Sequence, residues 1–477
     1  MGNPAKHSFI ELQMQDISLE SSDGYLSSKS RLTEENGNDN DVLPLLPSES
    51  ETDREKKLSR ESGIPSAVFN LATSVIGAGI MALPATMKVL GLPLGFTLII
   101  LMGFVSEISI EILVNLSVVL KASTYGEAVQ STCGHVARVV LEVCIIVNNA
   151  GILIVYLIIM GDVMSGSSQH KGIFDEWIGR QGWWGNRRLI VLITMLSVLA
   201  PLCSLKKIDS LKFTSAASVA LAVVFVAVSS IVALIKLVEG KIERPRLLPN
   251  VGSRRAILDL LVVIPIMTNA YICHFNIHPI YNELQGRTPA KMNKVGRITT
   301  VLCILVYAST AISGYLLFGE ATESDVLTNF DKDLGIAFSS ILDNIIRVGY
   351  ILHLLLVFPV IHFSLRQTMD CLVFKGSKPL SVSRNRFFIM TTATLAFLYL
   401  GSTVVPNIWV AFQFTGATTG LSLGFIFPSL IALRSNQQER RLGLGNRMLS
   451  WTMLAMALVV SIIGVVGNVF NLTVKND

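Results

Sequence analysis

Apolar runs of about 20 residues, separated by polar joints, recur from Ser66 to the C-terminus, and that is the length an α-helix needs to cross the hydrocarbon of a bilayer. Within hydrocarbon, backbone N–H and C=O groups must pair inside the segment, so runs of this kind are helical. Eleven can be read, at roughly 66–88, 91–116, 136–164, 189–205, 213–236, 257–279, 296–318, 336–363, 387–405, 407–433 and 448–471. Only 15% of the residues are charged, against about a quarter in ordinary soluble domains. A single soluble domain is excluded. The expected fold class is an all-α polytopic membrane protein with eleven transmembrane helices.

The N-terminus is polar and the first apolar run begins only after residue 62, so no cleavable signal peptide is expected and span one acts as its own insertion signal. Lys and Arg in the joints favour a cytosolic N-terminus, and an odd number of spans then puts the C-terminus on the other side. The joint KLVEGKIERPRLLPNVGSRR, with six basic residues, runs against that rule. The net charge of +5 is read as topological bias, and no nucleic acid is expected as a partner. Six cysteines show no metal-ligand spacing, and none lies in the non-cytosolic joints 165–188, 237–256 or 319–335. Neither a metal, another cofactor nor an exofacial disulfide is expected.

Residues 1–62, with 13 acidic and 7 basic residues, cannot bury a core and read as a disordered acidic cytosolic tail. Residues 63–435 form the core of spans one to ten, and 436–477 hold span eleven with a short non-cytosolic C-terminus. In the tail, DVLPLL places Asp41 four residues before Leu45 and Leu46. An acidic residue at that offset from a dileucine resembles the signal that sorting adaptors read on proteins bound for lysosomes or vacuoles; a chance apolar cluster is the competing reading.

Span one contains NLATSVIGAGIMALP, with Gly77, Gly79 and Pro84 inside an otherwise apolar run. Either small residues let two helices approach closely, or the helix unwinds and its freed backbone groups bind a solute. Span six, LLVVIPIMTNAYICHFNIHPIYNEL, is interrupted too, by Pro265, by the polar group Thr268, Asn269, His274 and Asn276, and by Pro279. Breaks at positions one and six are what a five-plus-five inverted repeat gives, with the solute between them near the midplane. A helix starting after Gly79 would offer amides to a carboxylate. Carbonyls from Thr73, Ser74 and Ile76 through Gly77 and Ala78, and around Thr268–Tyr271, could accept an ammonium. The set suits a zwitterion.

Ionisable residues within spans are functional candidates by default. His274 lies in the second break and could carry a proton or bond the broken backbone. Glu107 and Glu111, four apart in span two, would repel each other unless wet or protonated, which leaves an interfacial position or a proton relay as their readings. Asp343 and Arg347 share a helical face in span eight and are expected to pair, as a structural ion pair or a gate. No nucleophile–base pair or metal cluster appears, so an enzyme is not expected.

The stretches SAVFNLATSVIGAGIMALP and YICHFNIHPIYNELQ resemble the amino acid/auxin permease family, above all its plant vacuolar-type amino acid transporters and next the sodium-coupled neutral amino acid transporters. The resemblance covers about residues 63–471. It implies the LeuT-type fold and secondary active amino acid transport. The sodium-coupled branch places an Asn cation ligand where this chain has Thr73, and hydroxyl residues before the Pro where LHLLLVFP here has Leu355 and Val357. Those departures disfavour sodium and favour a proton as coupling ion, or facilitated flux down a gradient. The expected function is proton-coupled symport of amino acids, neutral ones, across a vacuolar or other endomembrane. Two alternatives stand beside it: a transporter-like sensor signalling through its N-terminal tail, and a sodium-coupled symporter of the plasma membrane.

Overall fold

The computed structural model describes residues 63–167, 170–179, 182–205, 212–249, 251–331, 334–336, 338–374, 380, 382–435 and 444–474. The tail, with Asp41, Leu45 and Leu46, lies outside them. The described residues are all-helical. In chain order they form α1 (Ile64–Val75), α2 (Gly79–Leu90), α3 (Leu92–Val119), α4 (Tyr125–Cys133) and α5 (His135–Ser165). Next, α6 runs through Arg187–Thr194, a π-helical turn Met195–Leu199 and Ala200–Cys203. Then follow α7 (Lys212–Val238), α8 (Arg254–Ala270), α9 (His274–Glu283), α10 (Pro289–Phe318), α11 (Ser339–Val373), α12 (Arg384–Val404), α13 (Ile408–Ser435) and α14 (Leu444–Val474).

Among the described residues, nine helices are long and apolar enough to span a membrane, and α1 with α2 makes a tenth as a bent pair. The expected fourth span is α6, whose segments of eight, five and four residues are short of a full crossing by length. Local chemistry explains the ends. Asn407 caps α13 by accepting from the Val410 amide, Ser253 caps α8 at Ala256, and Thr288 caps α10 at Lys291 just ahead of Pro289. Gly134 and Gly166 bracket α5 at φ of 88° and 73°, a left-handed conformation that suits glycine. Large apolar side chains such as Leu101, Phe104, Leu305, Met456 and Ile462 face outward, where lipid receives them, while Asn148, Thr268, His274 and His353 are buried inside.

Both expected breaks are present. Between α1 and α2 the chain turns by 57°, with Ile76 extended (φ −74°, ψ 99°). Beyond it the amides of Ile80 and Met81 turn back tightly onto the carbonyls of Gly77 and Ala78. Between α8 and α9, Tyr271, Ile272 and Cys273 leave the helix, and the Tyr271 and Ile272 amides fall back on Thr268 and Asn269. Tyr307 of α10 joins the two. Its hydroxyl lies 2.6 Å from the Val75 carbonyl and 2.7 Å from that of Ala270, so one O–H serves the frayed ends of both helices. Gly79 meets Ala270 closely: a Cβ on Gly79 would stand 3.1 Å from the Ala270 Cα.

Tyr307→Phe leaves both carbonyls without this donor while keeping the ring packed edge-on against Tyr271. The expected loss is about 1–3 kcal/mol, read as a lowered thermal midpoint of the purified protein in detergent.

Candidate functional site

Three tyrosines from three spans surround the break in span one. Besides Tyr307, the Tyr350 hydroxyl of α11 donates to the Gly77 carbonyl at 2.7 Å, and Tyr156 of α5 takes the Ala78 amide. The Tyr156 hydroxyl fills the space a Cβ on Gly77 would need. Gly77 therefore answers a need for space, because its φ is not in the left-handed range. No periodicity marked these tyrosines in the sequence. The usable signal was chemical: a phenol buried in an apolar span needs a partner for its O–H.

Below the break, Asn276 Nδ2 donates to Ser74 Oγ at 2.8 Å, and Ser74 Oγ donates to the Asn70 carbonyl. This pair closes the inner end of a path open to one face of the molecule. A cavity of about 440 Å³ at that face is lined by Tyr125, Arg138, His278, Phe363 and Gln367 among others. A narrower chamber of about 50 Å³, sharing Pro279, Phe363, Ser364 and Gln367 with it, reaches Ser74, Ser215 and Asn276. The opposite face is sealed. There Arg347, 1% exposed, pairs with Glu176 at 2.8 Å and donates to the carbonyls of Val163 and Lys171. His170 Nδ1 lies 3.0 Å from Asp331, which also accepts from the Lys171 amide.

The remaining expected residues scatter. Thr73 turns toward α7, to the Ser215 carbonyl at 3.2 Å. Thr268 bonds back to the Ile264 carbonyl of its own helix. Asn269 donates to Thr415 of α13, and Tyr271 to the Ile99 carbonyl of α3. His274 Nε2 meets Ser109 of α3 at 3.1 Å. Only Ser74 and Asn276 of the set line the chamber. The break at Ile76–Gly79 sits beside it, enclosed by the tyrosines.

Two expectations about charge are corrected. Glu107 and Glu111 do not face each other unrelieved: Arg297 of α10 stands 3.2 Å from the first and 3.4 Å from the second. That pairing removes the reason for reading them as a proton relay. Arg347 reaches Glu176 in the joint after α5, and Asp343 one turn earlier accepts from Ser339. In the sealed face, burial pushes the Asp325 carboxyl up to about 7 against the pull of the Leu327 amide.

The profile described as transmembrane amino acid transporter protein matches residues 60–470. The chain belongs to that family. The amino acid transporter AVT6E of Arabidopsis thaliana is 64% identical over 422 residues, covering 88% of this chain and 86% of the relative. AVT6A of the same plant is 46% identical over 416 residues, covering 86% and 89%. Among solved structures, a manganese transporter of Eremococcus coleocola superposes with a TM-score of 0.50 at 11% identity, covering 89% of this chain and 97% of that one. Likeness at that identity speaks to fold alone, and the fold is LeuT-type. The chain is a multi-pass membrane protein of a transporter family, and that family is not one of enzymes.

Gly77→Ala forces its new methyl onto the Tyr156 hydroxyl. Transport falls by about tenfold or more, as ångström-scale misplacement of a site does, at an unchanged membrane level, and adding Tyr156→Phe restores part of it. For Asp325 the sign is set by a raised native pKa. The folded chain binds this proton more tightly than the unfolded one, so its stabilisation is full below about pH 4 and is lost as pH rises toward 7. Asp325→Asn flattens the fall in thermal midpoint between pH 5 and pH 8.

Proposed function

We propose that this protein is a secondary active transporter of amino acids, neutral ones, driven by protons and working by alternating access. The observation that carries this reading is the asymmetry around the two breaks. A cavity runs from one face to Ser74 and Asn276, while Arg347, Glu176, His170 and Asp331 form ion pairs at the other. A carrier resting open to one side has that form. With the N-terminus cytosolic, as the joint charges favour, the open face is the cytosolic one and the sealed face looks into a vacuole or another endomembrane lumen. On an acidic organelle, proton symport runs from lumen to cytosol.

The start of α2 supplies the positive end of a helix dipole for the substrate carboxylate, its Ala78, Ile80 and Met81 amides being paired within the break. Asn276 and Ser74 supply polar groups beside it, and the substrate side chain extends along the largely apolar wall of the chamber. Thr73 engages α7 and is supported there by protein oxygens, in keeping with a site that does not rely on sodium.

Full-length protein in sealed vesicles, given labelled amino acids with a pH gradient, with sodium, or with neither, tests the reading. Accumulation of neutral amino acids with the pH gradient alone is expected. Sodium-dependent uptake would overturn the coupling ion, and binding without flux would turn the protein into a sensor.

A further inference from the structure

His353 of α11 is fully buried, and its Nδ1 lies 2.6 Å from the carbonyl oxygen of Ser218 on α7. A carbonyl can only accept, so Nδ1 carries the ring hydrogen and Nε2 keeps the basic lone pair. Nε2 has no hydrogen-bond partner among the described residues. The carbonyl of Ile76, inside the break of span one, faces the same ring. One turn before His353, Tyr350 caps the Gly77 carbonyl of that break.

A polar thread leads from this ring to the chamber. Ser218 Oγ donates to the Ser215 carbonyl at 2.8 Å and stands 3.4 Å from Thr73 Oγ1. Ser215 lines the chamber that opens to the aqueous face. His274 has no such thread: Ser109 takes its Nε2 and gives its own proton to the Gly424 carbonyl, on the side of α3 and α13.

Among the described residues, no carboxylate pairs with His353. Helices α1 and α7 present Thr73, Ser215 and Ser218, and on α11 itself the neighbour is the phenol of Tyr350, with 5.0 Å between ring centroids. Tyr156 of α5 and the Asp325 carboxyl lie beyond Tyr350. Of the other ionisable groups on α11 and the elements packed against it, Arg347 pairs with Glu176, Asp331 with His170, Asp370 with Arg386, Asp162 with Arg187 and Glu142 with Arg138. Arg366 donates to the Cys203 carbonyl, and His362 is buried without a hydrogen-bond partner among the described residues. An imidazolium in this place lacks a protein anion, and a buried charge without one is costly. A substrate carboxylate at the break provides it. Proton and amino acid then each favour the other's binding, which is the thermodynamic content of coupling.

We propose that Nε2 of His353 is the site of the coupled proton, filled when an amino acid carboxylate occupies the break in span one. The proton adds to the Nε2 lone pair to give imidazolium. When the carboxylate leaves toward the open face, the same proton is released from Nε2 to solvent and neutral imidazole returns, while Nδ1–H stays on the Ser218 carbonyl. This inference rests on the proton-driven reading above.

The test uses full-length protein in vesicles with an entrapped pH dye, labelled alanine and an imposed pH gradient. Wild type and a His362→Gln control are expected to accumulate alanine and to move protons. For His353→Gln, accumulation and proton flux fall by about tenfold or more, a loss on the scale of the coupling itself, while alanine-for-alanine exchange without a gradient falls far less. Accumulation and proton flux as in wild type overturn the assignment to His353 alone, as does an equal loss of exchange and accumulation. Uptake by wild type without proton movement overturns the coupled reading and this inference together. If His353→Gln is not recovered folded, His353→Asn is judged by the same two readouts.

Discussion

The fold depends on one economy of hydrogen bonding, the shared hydroxyl of Tyr307 between the carbonyls of Val75 and Ala270. Unwinding a helix in hydrocarbon strands backbone groups that water cannot reach, and each unpaired buried one costs about 1–3 kcal/mol. Two such breaks in one molecule would be ruinous if they were satisfied separately. Here they face each other, and one side chain reaches both from a third span. Tyrosine suits the task because its apolar ring can lie in the core while its hydroxyl extends to the backbone. Tyr350 and Tyr156 repeat the device at Gly77 and Ala78.

The same chemistry separates the two faces. On the sealed face the partners are charged, and Arg347 is so deeply buried that opening must either hydrate it or carry Glu176 along. On the open face the polar groups meet water in the cavity and are linked by neutral bonds, such as Asn276 to Ser74. A neutral bond between α9 and α1 is easily exchanged for water or solute, whereas a buried ion pair is costly to break from one side. In the proposed carrier, conversion between two states would turn on the charged latch, while the α9–α1 contact at the chamber floor adjusts around the substrate.

Much of this was legible in the sequence, and the rest was hidden for definite reasons. Spans announce themselves by length and hydropathy, and both breaks by Gly, Pro and clustered polar residues; α6 is as long as its run and was already the shortest of the expected spans. Partner choice was less visible. Spacing of four compares residues on one helix, and so paired Asp343 with Arg347 and set Glu107 against Glu111. The partners that decide both cases, Glu176 and Arg297, sit on other elements far along the chain. Asn269, Tyr271 and His274 looked like one site because they are close in sequence. The turn between α8 and α9 sends them to α13 and α3 instead. Gly77 stood out as either a close-packing residue or a point of unwinding, and what it concedes is room for Tyr156, not a left-handed backbone conformation.

The tyrosine caps also bear on how the proposed carrier can bind a zwitterion without unfolding its own break. A backbone carbonyl has two lone pairs, and Tyr307 uses one of those on Val75. An ammonium can take the other while the cap stays in place, so the occupied break adds a hydrogen bond and surrenders none. A carboxylate has no such neutral reception, since the start of α2 offers only partial charge. Its full compensation requires a cation that comes and goes with it. A titratable base beside Ile76, empty when the carboxylate is absent, meets that need where a permanent cation such as Arg would hold the empty site in strain. On this view the absence of a fixed charge near the break is what allows the driving ion to be counted with the substrate.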